Sequence, residues 1–165
     1  RHGLEAGSVT VLAVIRPDSW NYPLFMHVLG AMVLVGALIT AGTAQALSWR
    51  PEGNAAAYSR LSFRTLLIVA IPAWFVMRIG AEWIYSKEKW ADVPNEPDWL
   101  GVGYITADLG GILLLVSVIL AGFGARRLAR AEGGSTILAR SAGAVALVVL
   151  ALYLIALWAM TAKPG

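Results

Sequence analysis

Apolar positions fill this chain in four long blocks, parted by short polar stretches. They run from about Leu24 to Leu47, Leu61 to Ile84, Leu100 to Phe123 and Ala142 to Met160. Each is near the ~20 residues that a helix needs to cross the hydrocarbon of a bilayer. With their flanking residues, helices are expected over about 22–47, 61–86, 99–125 and 139–161. The links Ser48–Arg60, Tyr85–Trp99 and Gly124–Ser141 are short, which makes consecutive helices antiparallel neighbours. The predicted fold is all-α: a polytopic membrane protein whose four transmembrane helices form an up-down-up-down bundle, with residues 1–165 as one membrane domain. Small residues four apart, as in Ala37/Ala41, Ala139/Gly143 and Ala142/Ala146, allow helices to approach closely in lipid.

Composition agrees with the pattern. The chain is 58% hydrophobic and 14% charged, with a mean hydropathy of +0.68; soluble domains are about a quarter charged. There is no cysteine, which excludes disulfides, thiolate metal sites and a Cys nucleophile. The net charge of +3 comes from arginines flanking the blocks, so anionic lipid headgroups fit it better than nucleic acid. No phosphate-binding glycine loop, His-Glu-x-x-His or Gly-x-Ser-x-Gly is present, and nothing in the sequence looks like an assembled enzyme site. Residues 1–21 form an N-terminal extracytoplasmic segment in this reading. Its start without Met fits a tag remnant, an upstream start or a processed terminus, which leaves open whether residues 1–8 are native.

Basic residues suggest an orientation. Arg50, Arg60, Arg64, Arg126, Arg127, Arg130 and Arg140 flank the first and third links; Arg1, Arg16, Lys87, Lys89 and Lys163 lie on the opposite side. Positive residues favour the cytoplasm, which would put both termini outside. Trp20, Tyr22, Trp83, Tyr85, Trp90, Trp99 and Trp158 then form an outer aromatic belt.

A shift of 80 residues aligns the two halves without a gap. Leu29-Gly30 falls on Leu109-Gly110, Ala41-Gly42 on Ala121-Gly122, and Arg50, Glu52, Gly53 and Arg60 fall on Arg130, Glu132, Gly133 and Arg140. A duplicated hairpin would give two parallel repeats related by an axis along the membrane normal. Asp18 and Asp98 would then cap helix starts, and Arg-x-Glu-Gly would end each odd helix.

Four ionisable residues fall inside the blocks, all toward the same side. At 1.5 Å per residue, His27 and Glu82 lie about 6 Å deep, Arg78 about 10 Å and Asp108 about 13 Å. Charge at such depth needs a partner, water or a ligand. Arg78 and Glu82 are four apart and can pair on one helix face. Asp108 has no partner on its own helix and calls for Arg78, His27, a proton or a cation. Tyr104, one turn away, and Tyr153, on the fourth block, can hydrogen-bond the set. The candidate ligand-binding residues are therefore His27, Arg78, Glu82, Asp108, Tyr104 and Tyr153. Met26, His27 and Asp108 form a candidate metal set, since imidazole and thioether suit copper; haem held by His27 and a methionine is a further possibility, and no cofactor is assigned. Pro72 removes the hydrogen bond to the Ile68 carbonyl and is expected to kink the second helix.

The stretches Leu24-Phe-Met-His-Val-Leu-Gly30, Met77-Arg-Ile-Gly-Ala-Glu-Trp83 and Gly103-Tyr-Ile-Thr-Ala-Asp108 resemble small uncharacterised four-helix membrane proteins of GC-rich bacteria. That resemblance implies a bacterial inner-membrane protein and no known chemistry. A looser similarity to the membrane part of the copper-resistance D family rests on a His near the start of a helix. Three functions stay open: a polar pocket in the outer half that binds a small ligand, metal ion or proton; an accessory subunit of a larger membrane complex, or a homo-oligomer; and a haem-binding redox protein.

Overall fold

The computed structural model describes residues 18–50, 54–92, 94–95, 97–130 and 137–162. Among them are four helices long and apolar enough to cross a membrane, packed as a bundle. The first, α1, spans Asp18–Leu47. The second span has three parts: α2 (Ala55–Arg64), a π-helical turn over Thr65–Ala70, and α3 (Ile71–Glu88). The last two are α4 (Asp98–Leu128) and α5 (Ile137–Ala162).

The second span begins six residues before the expected start at Leu61. Apolar periodicity begins at Leu61, but Ala55–Ala57 are strong helix formers, and the Asn54 side chain accepts a hydrogen bond from Ala57 N at 3.0 Å. At the other end, Lys89 adopts the left-handed conformation (φ 55°) and closes α3. Pro72 acts one turn earlier than a simple kink would. The turn before it widens to i→i+5 bonding, which absorbs the donor that proline lacks. Asp98 is the first residue of α4 rather than its cap; Pro97 holds the capping position and makes no side-chain bond. The Asp18 side chain and the turn residues Glu52, Gly53, Glu132 and Gly133 lie outside the described residues, as does the segment 1–17.

The four spans form a ring. α1 packs along α3, and α4 along α5. α2 lies against both α1 and α4, whereas α3 and α4 make few backbone contacts. Leu34, Leu38, Leu66, Leu114 and Val149 are fully buried at the centre, among alanines. Lipid tails are as apolar as leucine, so close packing and cross-helix hydrogen bonds hold such helices together. Glycines make the closest approaches. Gly30 faces the Met77 backbone and Ala73 O, while a Cβ on Gly80 would sit 2.6 Å from His27 N. At the opposite end, a Cβ on Gly124 would lie 3.0 Å from Ala139 N, and Ser117 Oγ donates to Ala142 O at 3.0 Å.

The two ends differ in chemistry. One carries Trp20, Trp83, Trp90, Trp99 and Trp158; the other carries Arg50, Arg60, Arg64, Arg126, Arg127 and Arg130. They are called the tryptophan end and the arginine end below.

Candidate ligand pocket

α1 and α5 touch at the arginine end, where Gly42 meets Leu147, and Gly143 meets Gln45 and Trp49. Toward the tryptophan end they part, and a cavity of about 920 Å³ opens between α1, α3, α4 and α5. Its walls are mostly apolar. The polar exceptions include His27, Arg78, Tyr104 and Tyr153, with Glu88 and Thr161 at the ends of α3 and α5. Four of the six residues expected to bind a ligand therefore line one cavity; Glu82 and Asp108 do not.

Those two carboxylates hold Arg78 instead. Arg78 Nε donates to Asp108 Oδ1 at 3.1 Å, and Nη1 donates to Glu82 Oε1. The guanidinium also lies over the Tyr104 ring, 4.6 Å from its centroid, a favourable cation–π position. The Arg78 side chain is 21% exposed, whereas Glu82 and Asp108 are 52% and 58% exposed on the outside of the bundle. One positive and two negative groups leave this cluster with one excess negative charge when all are ionised. The depth argument for Asp108 thus leads to Arg78, across the crevice between α3 and α4.

That crevice is bridged by side chains because the backbones stand apart. Trp74 Nε1 donates across it to Ala107 O at 3.0 Å, and from α5 Tyr153 OH reaches the same carbonyl at 3.4 Å. Tyr85 meets Tyr104 edge-on at 5.6 Å. Gly110 and Gly111 make room for the rings: Tyr153 and Trp74 occupy the space that Cβ atoms there would fill.

His27 is fixed from one side. Its Nδ1 lies 3.0 Å from Met77 O. A carbonyl only accepts, so Nδ1 carries the proton, and in the neutral ring Nε2 is left as an acceptor. No described residue bonds Nε2. Of the candidate metal set, Met26 does not line the cavity and Asp108 is engaged with Arg78. Among the described residues there is no group of three His, Asp or Glu that could hold a metal ion.

Sequence reasoning missed Trp74 and Gly80. Trp74 lies mid-helix, away from the interfacial belt, where an indole N–H requires a partner; that was the available signal. Gly80 becomes informative only opposite His27, 53 positions earlier in the chain, and nothing on its own helix marks it.

Fold and composition together define an integral membrane protein of the four-helix-bundle class. Comparisons with family models, curated proteins and solved structures find no match.

Proposed function

We propose that this is a non-enzymatic membrane protein that holds a small ligand in the cavity at its tryptophan end. The observation that carries the reading is the cavity itself: about 920 Å³, apolar, with His27, Arg78, Tyr104 and Tyr153 placed on its walls. Apolar pockets with a few convergent polar groups are the usual form of small-molecule sites. Native mass spectrometry of protein released from mild detergent tests it. A co-purifying mass is expected in the wild type and absent from Ala156→Trp, which fills the cavity. The same mass in both would remove the ligand from this site. An optical spectrum of the same sample decides between an organic ligand and haem on His27.

A second reading has its own support. Asp108 and Glu82 face outward from the bundle with one unbalanced negative charge between them. A carboxylate toward lipid costs about 2.5–3.5 kcal/mol by insertion scales, which a partner helix bearing a basic residue would offset. This favours an accessory subunit. A polyleucine helix with one central lysine, reconstituted with the protein, should then associate better than its all-leucine control, and Asp108→Asn should remove the difference.

In our reading the arginine end faces the cytoplasm of a bacterial inner membrane and both termini lie outside. Support comes from Arg50, Arg60, Arg126, Arg127 and Arg130 beside the spans. A cysteine at Asn54 should be shielded from an impermeant thiol reagent in sealed cells, and one at Asn95 labelled. We also infer a duplicated hairpin. Supporting it, Gly30/Gly110, Leu34/Leu114, Ala41/Ala121, Ser59/Ala139 and Ser62/Ala142 are buried in pairs in the 80-residue register. Gly30 packs on Ala73, and Gly110 on Tyr153, which is the register partner of Ala73.

A further inference from the structure

We infer that the ligand of this cavity is an uncharged single-chain amphiphile drawn from the bilayer, whose head carries a hydroxyl that donates to Nε2 of His27. The inference rests on the cavity being a ligand site, and it adds the chemical class.

Shape gives the tail. Along α1 the cavity runs from Leu24 to Ile39, about 22 Å at the helical rise. A leaflet's hydrocarbon is about 15 Å deep, half of the usual core thickness. The space is therefore long and reaches past mid-membrane, and its deep part is lined by aliphatic groups such as Val35 and Ile39. An elongated apolar chain fits it, and a compact polar solute does not.

The opening gives the source. Val28, Met32 and Ile39 on α1, and Leu157 on α5, line the cavity and are also exposed, Met32 to 69%. Gly36, between them, has no other group within 4 Å of where its Cβ would stand. The gap between α1 and α5 thus opens sideways into the hydrocarbon, and a ligand using it comes from the bilayer.

The polar groups give the head. With Nδ1–H donated to Met77 O, neutral His27 offers an acceptor, so the ligand must supply a donor. An anionic head gains no net attraction: Arg78 lines the cavity, but its charge is already answered by Glu82 and Asp108. A cationic head finds no carboxylate beside His27, because Glu82 and Asp108 are not in the lining. Glu88, the carboxylate that does line the cavity, is eight residues along α3 from Gly80, where His27 packs, about 12 Å at the helical rise. An uncharged hydrogen-bond donor is the head that these constraints leave, and a hydroxyl is its simplest form.

Binding of radiolabelled hexadecanol to the purified protein tests this, with unlabelled hexadecanol, palmitate and hexadecylammonium as competitors. The three share a tail and differ in head. Saturable binding at one site per chain is expected, abolished in Ala156→Trp. Hexadecanol should compete about tenfold better than palmitate, the worth of one hydrogen bond. His27→Phe should erase that advantage, and His27→Gln, which returns an acceptor oxygen, should restore part of it. If palmitate or hexadecylammonium competes equally or better, the class is wrong while the pocket stands. If no probe shows binding that Ala156→Trp removes, the pocket itself is wrong. Should His27→Phe not fold, the competition order on the wild type decides alone.

Discussion

The bundle closes differently at its two ends. At the arginine end the neighbouring spans meet through small residues: Gly124 on Ala139, Gly143 on Gln45, Ser117 on the Ala142 carbonyl. At the tryptophan end one seam, α1 on α3, closes in the same way through Gly30 and Gly80. Between α3 and α4 large side chains stand in the gap, while α4 meets α5 through Gly103 on Met160 and Gly110 on Tyr153. Trp74, Arg78, Tyr104 and Tyr153 reach across from α3, α4 and α5 and bond to carbonyls, carboxylates or rings on the opposite helix. The contrast teaches that small residues alone do not close a seam: Ala31, Gly36 and Ala156 line the cavity and are as small as the residues that close the other end. In lipid no hydrophobic gain draws two spans together, so a seam closes only where the surfaces fit. Where bulky polar groups stand between spans, hydrogen bonds hold the helices at a distance.

The largest effect should come from breaking the tight seam of the open end. Gly80→Leu places a side chain 2.6 Å from His27 N and 2.9 Å from its Cα. Both are backbone atoms and cannot give way as a side-chain tip does. A loss of about 3 kcal/mol or more is expected, seen as a lower unfolding midpoint in a denaturing detergent titration. Gly36→Leu, with open space at its Cβ, is the control and should not lower the midpoint. Equal losses would mean that α1 and α3 do not cross at Gly80.

Next in size is Arg78→Gln. Arg78 is the shared centre of two ion pairs, and removing it leaves Glu82 and Asp108 facing one another without a cation. The cost is about 3 kcal/mol, the scale of one unpaired charge in a span. Adding Asp108→Asn to Arg78→Gln should recover part of it in the same titration. Strict additivity of the two changes would show that they are uncoupled.

Much of this architecture was legible in the chain. Four blocks of apolar residues, each near the length of a span, became four helices, because backbone groups in hydrocarbon must bond within their own segment. Depth and the lack of a partner on its own helix left Arg78, His27, a proton or a cation for Asp108, and the structure pairs it with Arg78. Two things were not legible. Which side of a helix faces the cavity depends on its rotation against its neighbours, so Glu82 and Asp108 could be placed along their helices but not on the outer surface. The π-helical turn was hidden too: Pro72 announces a disturbance, yet whether the helix kinks or widens depends on what packs around Leu66 and Ala70, both buried.

A smaller effect tests the closed end. Gly143→Ala brings a Cβ to 2.6 Å from Gln45 Cγ. Gln45 is fully buried, its Nε2 bonded to Ser48 Oγ at 3.2 Å, and Oε1 has no partner among the described residues. The side chain can shift slightly, so the cost should be about 1–2 kcal/mol rather than that of a backbone clash. Adding Gln45→Ala should relieve the crowding. No relief would place the strain elsewhere on the α1–α5 seam.

The smallest effect expected is that of Asp108→Asn alone. Breaking a buried pair usually costs about 3–5 kcal/mol because a lone charge is left behind. Here that does not happen: Arg78 keeps Glu82, and the cluster goes from one excess negative charge to neutral. Asparagine still presents an oxygen to Arg78 Nε, where the carboxylate now accepts at 3.1 Å. What is lost is the charge assistance of one bond between spans, where interhelical side-chain hydrogen bonds average about 0.6 kcal/mol; removing an exposed charge from the bundle surface acts in the opposite direction. The change in the unfolding midpoint should therefore be close to zero, of either sign, and well below that of Arg78→Gln. A loss as large as that of Arg78→Gln would mean that Asp108, not Arg78, is the hub, and that Glu82 contributes little to holding the crevice between α3 and α4.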